Sequence, residues 1–102
     1  MSVDPSVSAL IARDLDELGL DEGVRVVVQR WLAADRDFNY WFVETTKGKL
    51  DDDALFGLLG GYAEDQDAVR AAWVAFREDR DLASLAERLE TSIARMASLK
   101  HK

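Results

Sequence analysis

Cysteine is absent from this 102-residue chain, histidine occurs once, as His101, and proline once, as Pro5. Without cysteine there is no disulfide framework, no thiolate zinc or iron–sulfur site, and no cysteine nucleophile. His101 lies between Lys100 and Lys102 at the end of the sequence, where nothing orients it. One chain therefore assembles neither a Ser–His–Asp triad nor a histidine metal cluster. No apolar run approaches the roughly 18 residues that a bilayer-spanning helix requires. The first residues lack a basic n-region, and Arg13, Asp14 and Asp16 break their apolar pattern, so no secretory signal is expected and a cytoplasmic location is the default.

Positive charge is scarce in one region. The chain carries a net −7, and from Asp51 to Asp67 there are six carboxylates, Asp51, Asp52, Asp53, Glu64, Asp65 and Asp67, with no Lys or Arg. A surface of that sign repels phosphate backbones and anionic membranes, so neither nucleic acid nor membrane is an expected partner, whereas a basic protein is. The excess of basic residues falls in the C-terminal stretch, where Arg88, Arg95, Lys100 and Lys102 face Glu90 alone.

Apolar residues make up 48% of the chain, too many for a disordered segment and enough for one modest core. A single helical domain over 1–102 is expected, with short disordered ends at about 1–3 and 100–102, since no Ser-, Pro- or Gln-rich linker divides it. Asp4 before Pro5 is a helix-start pair, and Val7, Leu10, Ile11, Leu15 and Leu18 recur at helical spacing up to Gly19. Asp21 and Glu22 are placed to open a second helix carrying Val24, Val28 and Trp31. A third is expected from about Asp37 to before Gly48, and a short fourth around Phe56 to Leu59, stopped by Gly60-Gly61. Asp65 or Asp67 would cap a fifth helix with Val69, Trp73 and Phe76 inward. Asp81 opens the last, whose stripe runs from Leu82 through Leu85, Leu89 and Ile93 to Leu99.

The expected fold is thus all-α, a compact bundle of five or six short helices. Its core draws on Trp31, Phe38, Trp41, Phe56, Trp73 and Phe76, together with Leu85, Leu89 and Ile93. Val24, Val26 and Val28, and later Phe38, Tyr40 and Phe42, also alternate around Asp35-Arg36-Asp37, so an α+β fold with a β-hairpin at about 24–46 is the alternative.

No catalytic or cofactor-binding constellation is evident. Asp51-Asp52-Asp53 reads as helix N-terminal carboxylates rather than a hard-cation site, and Asp14-x-Asp16 fails as a calcium loop because Arg25 holds its twelfth position. Glu44 to Leu50 contains a Gly-Lys pair but lacks the first glycine and the hydroxyl of a phosphate loop. Acid–base chemistry needs a carboxylate in an apolar pocket, and only Glu44, after four large apolar residues, is a candidate for partial burial.

The most informative run is Phe38 to Val43. At about 100° per residue, Phe38, Trp41 and Phe42 complete one stripe and leave Tyr40 and Val43 pointing elsewhere. Either other helices cover that second face, or Tyr40 and Val43 lie in an interface, with a homodimer or with another protein. The expected function is a small acidic, non-enzymatic protein–protein interaction module: a regulator, adaptor or inhibitor using Tyr40, Val43 and the carboxylates from Asp51 to Asp67. An acidic immunity-type inhibitor or nucleic-acid mimic with a basic partner is the first alternative, and a carboxylate–metal enzyme the second.

Overall fold

Four α-helices and no strand occur among the described residues: α1 (Val7–Glu17), α2 (Glu22–Thr45), α3 (Asp52–Asp79) and α4 (Leu82–Lys100). The computed structural model describes residues 6–45 and 52–100, apart from the side chains of 52, 54 and 55. The expectations placed on Asp4, Pro5, Gly48, Asp51, His101 and the chain ends at 1–3 and 101–102 lie outside these residues. The all-α class holds, with four helices instead of five or six. The hairpin alternative fails because 24–45 is helical throughout.

Local chemistry sets most of the boundaries. Ser6 caps α1, its Oγ accepting from the Ala9 N–H at 3.2 Å. Gly19 ends the segment in the left-handed region at φ 58°, which glycine adopts without steric cost. Asp21 Oδ1 accepts from the Val24 N–H at 3.1 Å to open α2, and Asp81 Oδ1 from the Ser84 N–H at 3.2 Å to open α4. Between α3 and α4, Arg80 takes φ 59°, donates its N–H to the Phe76 carbonyl at 2.8 Å and lays its guanidinium 5.8 Å above the Phe76 ring. A left-handed non-glycine residue costs roughly 1 kcal/mol, and an exposed cation–π contact returns about half of that. Arg80→Gly should therefore raise stability by about 0.5 kcal/mol, and a lower midpoint in thermal unfolding would show that the ring contact outweighs the strain.

Two expected breaks are absent. Asp35-Arg36-Asp37 does not divide α2, because Asp35 turns inward to partners on α3 while Arg36 and Asp37 stay exposed. Gly60-Gly61 does not divide α3, and neither Asp65 nor Asp67 caps a helix. Gly61 instead admits α4: a Cβ there would stand 3.1 Å from Leu99 Cδ2.

Helices α2 and α3 run antiparallel, and no close backbone approach joins them. Large side chains fill the gap, with the Phe38 and Tyr62 rings stacked at 4.8 Å and 5°. α4 packs along one side of the pair and α1 along the other. Trp31, Trp73, Phe38, Ile11, Leu85 and Leu89 are almost completely buried at the centre. Of the expected core, Trp41 and Ile93 are only partly buried, and Phe56 is 71% exposed. The aromatic character of Phe56 suggested core, but it sits on a turn of α3 that no other helix covers among the described residues.

Both covering helices stop short of that end. α1 begins at Ser6 to Ser8, beside Asp35 and Tyr62, and α4 ends with Leu99 against Gly61. From Asn39 onward in α2, and before Gly61 in α3, the pair continues with no third helix among the described residues.

Candidate interaction site and the buried polar pairings

Among the described side chains, each helix contributes one buried polar residue: Asp14 from α1, Asp35 from α2, Asp65 from α3 and Ser92 from α4. Buried polar atoms are costly unless hydrogen-bonded, and these are bonded. The Trp31 indole N–H donates to Ser92 Oγ at 2.8 Å, and Ser92 Oγ donates to Asp65 Oδ2 at 2.5 Å, tying α2, α4 and α3 together. The Trp73 indole N–H donates to Asp14 Oδ2 at 2.7 Å, joining α3 to α1. Arg77 and Arg13 approach the same carboxylate at 3.5 and 3.6 Å.

Asp35 sits where α1 begins. Its Oδ1 accepts from the Tyr62 hydroxyl at 2.7 Å and from Gln66 Nε2 at 3.2 Å, and Ser8 adds a further bond. Asn39 Nδ2 donates to the Tyr62 oxygen at 3.0 Å and to the Asp35 backbone carbonyl at 2.8 Å. These groups line an open cleft of about 490 Å³ with Ser6, Asp67 and Arg70.

Burial raises the Asp35 pKa above its ordinary 3.8 despite the bonds from Tyr62, Gln66 and Ser8. Burial likewise raises Asp65, against Ser92, Arg95 and Arg88, and the Asp35 charge adds to it. Burial and then Asp35 push the Tyr62 phenol above its usual value, so it remains a hydrogen-bond donor. Between the raised folded pKa and 3.8, the folded protein holds a proton that the unfolded chain has lost. Stability contributed by Asp35 and Asp65 therefore increases as pH falls through that window and decreases as pH rises through it. Urea unfolding from pH 7 to 4 should show this trend, and Asp35→Asn with Asp65→Asn should flatten it. An unchanged slope in the double variant would assign the trend to other carboxylates.

The residues singled out in the sequence divide among several places. Tyr40 is 71% and Val43 57% exposed, on the part of α2 that runs past α1 and α4. Phe56 (71%) and Leu59 (42%) occupy the matching part of α3. Tyr40 lies two residues from inward-facing Phe38 and so points away from α3. Val43 lies four residues after Asn39, on the face that lines the cleft. Asp53, Glu64 and Asp67 are exposed, with Glu64 3.2 Å from Arg95, whereas Asp65 is buried against Ser92. Asp52 opens α3, its side chain outside the described set, and Asp51 lies outside the described residues altogether. Glu44 is exposed.

Sequence reasoning missed Phe56 and Leu59 as surface residues and Asp14, Asp35 and Asp65 as interior ones. One available signal was that Asp14 and Asp35 share a helical stripe with buried neighbours, Ile11 and Leu15 for the first and Trp31 and Phe38 for the second. Among the described residues, no group of three or more His, Cys, Asp or Glu is placed to hold a metal ion, and none of the helices is long and apolar enough to cross a membrane. Comparison with protein-family models, curated proteins and solved structures finds no match to this chain.

Proposed function

We propose that this protein is a small, non-enzymatic protein–protein interaction module, a regulator, adaptor or inhibitor whose working surface is the end of the α2–α3 pair. The observation that carries this reading is the cluster of exposed large apolar side chains, Tyr40, Val43, Phe56 and Leu59, on the part of the pair that α1 and α4 leave uncovered. Apolar surface of this kind, when not spent on a core, marks an interaction site. The acidic alternative, an immunity-type inhibitor facing a basic partner, draws support from exposed Asp53 and Asp67 beside the same end.

Tyr40→Ala and Phe56→Ala should each change monomer stability by less than about 0.5 kcal/mol, as surface substitutions do. Their effect should appear in association, read by light scattering after size exclusion and by partner capture. A loss of the roughly 3–5 kcal/mol typical of a core aromatic would place these rings in the interior and end the proposal.

A further inference from the structure

We draw no further inference here: the strongest candidate, the open groove between α3 and α4 along Ala68, Ala71 and Ala75, is a stripe of small side chains, and nothing in the structure shows what covers it.

Discussion

Trp73→Ala should remove about 4–8 kcal/mol of stability. Trp73 is completely buried, its ring packs 5.5 Å from Phe76, and its indole N–H is the 2.7 Å donor to Asp14. Truncating a buried aromatic removes about 3–5 kcal/mol, and a buried carboxylate deprived of a donor adds about 1–3 kcal/mol. A domain of this size has roughly 5–15 kcal/mol in total, so the urea midpoint should fall by roughly half. Trp73→Phe separates the two parts, retaining most of the packing while removing the donor, with an expected loss of about 1–3 kcal/mol. If Trp73→Phe matched the unmodified protein, Arg77 and Arg13 would be sufficient partners for Asp14.

Ser92→Ala should cost about 2–4 kcal/mol, far more than a hydroxyl on a surface helix, because one truncation leaves two buried groups without their bond. The Trp31 indole loses its acceptor and the Asp65 carboxylate its 2.5 Å donor. In an Asp65→Asn background the same substitution should cost less, since an amide is easier to bury unpaired than a charge. Denaturant unfolding of the four proteins gives the coupling directly, and a value near zero would show that Ser92 and Asp65 act independently.

Much of this architecture is readable from side-chain spacing. α1 and α4 follow their apolar stripes, Gly19, Asp21 and Asp81 stand at the boundaries their chemistry implies, and Trp31 and Trp73 are core. The failures share a physical origin. Asp35-Arg36-Asp37 resembles a turn because the groups that make Asp35 tolerable inside a helix, Tyr62 and Gln66, lie 27 and 31 residues away. Gly60-Gly61 resembles a stop because the reason for a small residue, Leu99 closing on Gly61, is in another helix. Phe56 resembles core because hydrophobicity does not report how far α1 and α4 reach. That Tyr40 and Val43 lie off the core stripe was legible from the 100° rule alone, whereas how much of the α2–α3 pair stays uncovered depends on where α1 begins.

The pairings among the buried polar groups follow an alternating order along the chain. Asp14 of α1 meets Trp73 of α3, Trp31 of α2 meets Ser92 of α4, and Asp35 of α2 meets Tyr62 and Gln66 of α3. Each of these joins the half of the chain before the 46–51 connection to the half after it. Ser92 and Asp65 pair within α3 and α4, but the indole N–H groups of Trp31 and Trp73 and the Tyr62 hydroxyl find their acceptors only in the other helical hairpin. Release of one hairpin therefore leaves buried donors and acceptors of the other unpaired, which favours opening of the molecule as a single cooperative unit.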